Sequence, residues 1–207
     1  MDEVMIQQGK QDIAVETAFS SRGNFQEIYD IGKMFSTSSL IPANYQGKPM
    51  DCTIAVEMAN RMGVSPMMVM QNLYVVKGVP SWSGQACMSL IKASGEYKDV
   101  HHVYFGEKNT DSWGCKVIAT VKKTGEEVEG PEVTIKIAKD EGWYSKPGSK
   151  WKTMPELMLA YRAAAFFARV KIPEALMGCR VEGEVEDMQP AAPPKAVDAF
   201  AGQEVVE

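Results

Sequence analysis

Cations and aromatic rings crowd residues 133–171, where Lys136, Lys139, Lys146, Lys150, Lys152, Arg162, Arg169 and Lys171 face only three acids, Asp140, Glu141 and Glu156. This local excess of positive charge sits inside a chain of 207 residues whose net charge is -5. Residues 143–152 interleave Trp143, Tyr144 and Trp151 with Lys146, Lys150 and Lys152. Cations neutralise phosphates and flat rings stack on bases of any identity, which is what sequence-tolerant binding of single strands requires. The same residues also suit a solvated turn with its tryptophans tucked into the core, and both readings stay open at this point. Arg162 and Arg169 lie seven positions apart, so on a helix they share a stripe and are separated by about 10 Å along the axis. Charges leaving a buried helix need partners, and a guanidinium fork suits a protein carboxylate or a passing phosphate equally.

Three elements must position these groups. A strand is predicted over residues 133–138, followed by a loop broken at Gly142, Pro147 and Gly148. A helix follows, with Thr153 as its expected N-cap, Glu156 completing a capping box and Pro155 in the first turn. Pro173 biases Ile172 out of helical geometry and stops it. Leu157, Met158, Tyr161, Ala165 and Ala168 mark one apolar face, and Leu159, Ala163, Phe166 and Val170 another, so the helix should be mostly buried.

Upstream, residues 1–24 read as a weakly held N-terminal arm. Helices are expected over about 25–36, 51–62, 67–71 and 83–93, with Asp51 and Ser83 as caps. Strands are expected at 73–77, 79–82, 100–105 and 114–122, with Lys77-Gly78 as a hairpin turn and Glu126, Glu127 and Glu129 on a solvated turn. The fold class is therefore α+β: a small antiparallel sheet of three to five strands with flanking helices, and a long C-terminal helix after the sheet. The main domain covers residues 25–187, and residues 188–207, acidic and rich in Pro and Ala, read as a disordered tail.

Composition narrows the function classes. With a pI of about 5.2 the chain should not adhere to DNA indiscriminately, so a nucleic-acid site must be local. Cys52, Cys87, Cys115 and Cys179 form no C-x-x-C pair, and His101 and His102, adjacent on a strand, point to opposite faces. Neither set predicts a metal site. Met62, Met67, Met68 and Met70 make a soft patch, read as core packing. The absence of a long apolar run and of a basic-then-apolar leader predicts a soluble, intracellular protein. No G-x-x-x-x-G-K-[ST] is present, so strand pairing would run on binding energy rather than ATP.

The run AKDEGWYSKPGSKWKTMPELMLAYRAAAFFARV, with IPEALMG after it and KGVPSWSGQA before it, resembles the RecT family of bacteriophage single-strand DNA annealing proteins, over residues 50–187. Many relatives carry a further basic residue where this chain has Ala160. The resemblance implies ATP-independent binding of single-stranded DNA and strand annealing in phage-type homologous recombination and DNA repair. It also implies a homo-oligomer built as a ring or helical filament, a companion phage exonuclease, and contact with the host single-strand binding protein in the bacterial cytoplasm. On this reading the protein is not an enzyme and has no catalytic residue, metal ligand or cofactor. Its DNA-binding residues are Lys77, Lys136, Lys139, Trp143, Lys146, Lys150, Trp151, Lys152, Arg162 and Arg169. Lys77 joins them because the resemblance includes its segment. Two alternatives are a metal-dependent nuclease built on Glu96-Tyr97-Lys98, which lacks an evident second carboxylate, and a protein adaptor whose basic stretch meets acidic surfaces.

Overall fold

The computed structural model describes residues 20–181. Most of the expected arm, and the whole of the expected 188–207 tail, lie outside the described residues. Ser21 opens the first helix: its Oγ accepts from the Asn24 N–H at 3.1 Å and caps α1 (Arg22–Ser36), so residues 22–24 belong to a helix. α2 (Pro49–Met62) begins two residues before the expected Asp51, with Pro49 in the first turn, and stops at Gly63 in the left-handed conformation, φ 63°. The two helices approach closely at Gly32, where an added Cβ would lie 2.7 Å from the Thr53 nitrogen.

Ser65 caps α3 (Pro66–Asn72), accepting from the Met67 N–H at 3.2 Å. α3 runs into β1 (Leu73–Val76), the Lys77-Gly78 turn and β2 (Val79–Trp82). Both turn residues have positive φ, 49° and 82°, as tight hairpins favour. α4 (Ala86–Ala93) starts later than expected because Ser83 is tied to Asn72: its N–H donates to the Asn72 carbonyl and its Oγ to Asn72 Oδ1, both at 2.8 Å.

The second sheet is built around β4 (Gly114–Val121), which pairs antiparallel with β3 (Tyr97–Phe105), β5 (Glu127–Glu129) and β6 (Val133–Thr134). β5 lies within what reads as a solvated glutamate turn. Glu127 and Glu129 are exposed, but their backbone pairs with Thr120 and Ile118, and Glu129 holds Lys116 Nζ. The expected strand over 133–138 is cut to two residues. Thr134 Oγ1 accepts from the Ile137 N–H at 3.1 Å and opens α5 (Ile135–Asp140). The partner strand begins at Gly114, opposite Thr134, so no further ladder is on offer.

α6 (Pro155–Lys171) ends before Ile172 and Pro173 as expected, and a 3-10 turn (Pro173–Leu176) leads to β7 (Arg180–Val181). Its start departs from the expected capping box. The N-cap is Met154, which makes no side-chain cap bond, and the Glu156 carboxylate instead accepts from Lys108 Nζ at 2.8 Å. β7 pairs parallel with β2, so the first sheet has the order β1-β2-β7.

The fold is thus α+β with two largely antiparallel sheets and a long helix after them. α6 packs against β4 and α4, burying Leu159, Ala163, Ala164, Phe167 and Ala168. The run of alanines lets strands and helices approach it on several sides. Trp82 is fully buried and its indole N–H donates to the Leu176 carbonyl at 3.1 Å, which ties the hairpin to the chain beyond α6.

Candidate nucleic-acid interface

Residues 142–153 fold as consecutive turns with their own backbone bonds. Tyr144 N–H donates to the Ala138 carbonyl at 3.0 Å, and Met154 N–H to the Lys150 carbonyl at 2.7 Å. Ser149 crosses the loop, its hydroxyl donating to the Trp143 carbonyl at 2.7 Å and accepting from the Trp151 N–H at 3.3 Å. The loop is therefore a shaped wall.

Trp143 and Trp151 face inward, 6 % and 4 % exposed. Their ring centroids lie 5.8 Å apart, and Phe166 meets Trp143 edge-on at 6.4 Å. The Arg162 guanidinium carbon sits 3.8 Å from the centre of the Trp143 ring. Of the two readings the sequence leaves open, the rings take the inward one: they pack against each other and against Arg162, which also is buried. A desolvated cation over indole gains about 2 kcal/mol. The tryptophans therefore act through the position they give to Arg162 and to the loop.

Between the loop and α6 lies a concavity of about 280 Å³. Lys146, Lys150 and Arg162 line it with Trp143, Trp151, Ser149 and Val181, and none of the described residues that line it is acidic. α6 contributes Met158, Tyr161, Arg162 and Ala165, the spacing of one helical face. Gly84 forms the opposite side, where an added Cβ would come 3.0 Å from Tyr161 Cβ. Gly84, Tyr161 and Val181 are site residues that sequence reading missed. Tyr161 had a signal in its helical spacing with Arg162. Val181 had none, because its neighbours are set by the β2–β7 pairing. Lys146, Arg162 and Arg169 all have further partners in the fold, so a phosphate arriving at the first two must compete for them.

The remaining expected contacts lie elsewhere. Lys139 and Lys152 line a smaller recess of about 110 Å³ on another side of the loop, with Tyr144 and Trp113. Lys139 binds Asp111 and lies 5.5 Å from the Tyr144 ring centre. Lys136 pairs with Asp140 at 2.7 Å. The hydrogen bond that each of these two ammonium groups donates to its carboxylate partner holds it above the ordinary lysine range. Both charges are thus largely offset, which reduces the positive excess counted along the sequence. Arg169 donates from Nη2 to the Cys179 carbonyl at 3.4 Å and so anchors the chain that leads into β7. Lys77 sits at the hairpin tip, on the order of 15 Å along the strands from the Gly84 end, and does not line the concavity.

His101 and His102 do take opposite sides of β3, and His102 Nε2–H donates to the Ala160 carbonyl of α6 at 3.1 Å. Among the described residues no three His, Cys, Asp or Glu side chains gather as a metal site. All four cysteines are buried free thiols, and burial pushes Cys115 up to about 12. No helix among the described residues is long and apolar enough to cross a membrane. No family model, no curated protein and no solved structure matches the chain.

Proposed function

We propose that the protein binds single-stranded DNA through the concavity between the 142–153 loop and α6, and anneals complementary strands without ATP. The observation that carries this reading is the lining itself: Lys146, Lys150 and Arg162 converge on one recess with no acid among the described residues of its walls. Its size suits a phosphate with part of its sugar rather than a whole base stack. The burial of Trp143 and Trp151 supports annealing in particular. A protein that gripped bases between rings would hide the edges a second strand must read, whereas phosphate contacts position a strand without reading it. Arg162, held over the Trp143 ring, presents a pre-set fork, while Lys146 and Lys150 supply adaptable point charges.

The resemblance to the RecT family extends the proposal to an oligomer that coats the strand and holds the new duplex through many weak contacts. A companion exonuclease and a single-strand binding protein belong to the same expectation. The direct test mixes labelled complementary oligonucleotides with purified protein and no nucleotide cofactor. Pairing should be faster than the spontaneous rate and should slow as salt rises. Pairing at the unaided rate across a range of ionic strengths refutes the reading.

A further inference from the structure

A hollow of about 550 Å³ lies between α2 and the first sheet, lined by Ile54, Ala55 and Met58 of the helix and by Leu73, Val75 and Pro80 of the β1–β2 hairpin. Among the described residues it shares no wall with the cationic concavity. Its lip is apolar and open to solvent, with Ile54 54 % and Val75 68 % exposed.

The register of the hairpin leaves one edge of β1 open beside this groove. Val76 and Val79 flank the two-residue turn, and Ser83 N–H donates to the Asn72 carbonyl at 2.8 Å, so residues 72, 74 and 76 are the ones bonded to β2. Leu73 and Val75 turn their backbone groups away from it. Leu73 satisfies both inside the fold: its N–H donates to the Val69 carbonyl, and its C=O accepts from the Tyr45 hydroxyl at 2.9 Å. Val75, opposite Pro80, has neither group bonded among the described residues. An N–H and a C=O aimed together off a sheet edge are what an added strand pairs with. Charge narrows the chemistry of that strand. Lys77, two positions along the same edge, is exposed and has no side-chain partner among the described residues, while Lys48 at the groove meets Asp51 only at 3.9 Å.

We propose that an extended peptide segment of another protein docks here as a fourth strand beside β1, its backbone bonded to Val75, with two apolar side chains in the groove and an acidic residue against Lys77. Alternate residues of a strand are about 7 Å apart, which matches the roughly 6 Å rise between Ile54 and Met58 on α2. Leu73 closes the edge at its own end, so one register is available. In this role Lys77 serves a protein partner instead of DNA, and the surface is independent of the DNA reading.

The test selects binders of the full chain from a phage-displayed library of random peptides, and the consensus peptide is synthesised with a fluorophore. It should carry two apolar residues separated by one position, with an acid close by. Val75→Pro removes the open N–H while leaving the bonds to β2 intact, and should weaken the peptide about ten-fold. Ile54→Asp should weaken it at least as much and leave affinity for a labelled single strand of DNA at the parental value. Lys77→Ala should cost about three-fold at low salt and less as salt rises. In hydrogen exchange followed by NMR, the Val75 amide of the parent protein should be protected only when peptide is bound. The proposal is overturned by a selection without binders, by a consensus peptide indifferent to Ile54→Asp, or by a Val75 amide that exchanges equally fast with and without peptide. If Val75→Pro fails to fold, Ile54→Asp and the parental exchange rates still decide. A chain that binds no peptide but loses mass in sedimentation on Val75→Pro uses the edge to join its own copies, which also overturns the proposal.

Discussion

Lys150→Ala isolates the concavity from the rest of the basic stretch. Lys150 is an exposed cation on a recess with no acid among the described residues of its lining, so its removal changes the local charge by one unit without vacating any ion pair identified among the described residues. On single-stranded DNA each neutralised phosphate contributes about 0.7 to the slope of log affinity against log salt. Taking about 1 M salt as the point where counterion release no longer favours binding, loss of one contact costs about five-fold in affinity at about 0.1 M and about two-fold at about 0.4 M. The comparison variant is Lys136→Ala with Asp140→Ala, which deletes a pair held at 2.7 Å and leaves the net charge unchanged. Its slope should equal that of the parent. The assay is fluorescence anisotropy of a labelled oligonucleotide titrated at several salt concentrations, with circular dichroism to confirm that each variant is folded. A folded Lys150→Ala protein with the parental slope, or a pair variant that loses as much slope, refutes the reasoning.

Three further outcomes follow from the packing. Trp143→Ala removes a buried ring that supports Trp151, Phe166 and Arg162, and should cost about 3–5 kcal/mol in urea unfolding, with Trp143→Phe recovering much of it. Gly32→Ala places a methyl group against the Thr53 backbone and should destabilise the α1–α2 contact by about 1–3 kcal/mol in the same measurement. For His102, burial holds the imidazole below its ordinary value, outweighing the bond to the Ala160 carbonyl, while Lys92 and His101 push the same way as burial. The unfolded chain takes up a proton near pH 6.5 and the folded chain only at lower pH. Stability is therefore full above about pH 6.5 and falls as pH drops through the window down to the depressed native value. His102→Gln should flatten that acid limb in thermal unfolding followed between about pH 7 and about pH 5, and an unchanged limb contradicts it.

Much of the framework could be read along the chain because its causes are local. Pro173 ends α6, Gly63 ends α2, Lys77-Gly78 turns the first hairpin, and the adjacency of His101 and His102 sends them to opposite sides of β3. The grouping of Lys146, Lys150, Trp143, Trp151 and Arg162 was equally visible, since a short loop packed on the helix that follows it cannot scatter them. The roles within that group were not visible. Whether a tryptophan faces a base or the core depends on what lies beneath it, and here Phe166 and Arg162 take that place. Charge counting along the chain also could not foresee that Asp111, 28 positions before Lys139, would neutralise it. The amino-acid sequence by itself determined which residues had cations and rings to offer, because side-chain chemistry and turn propensity belong to each residue and its near neighbours. Only the tertiary structure decided which cations converge on one recess and which are offset by acids, because those pairings join segments whose separation along the chain carries no periodic signal.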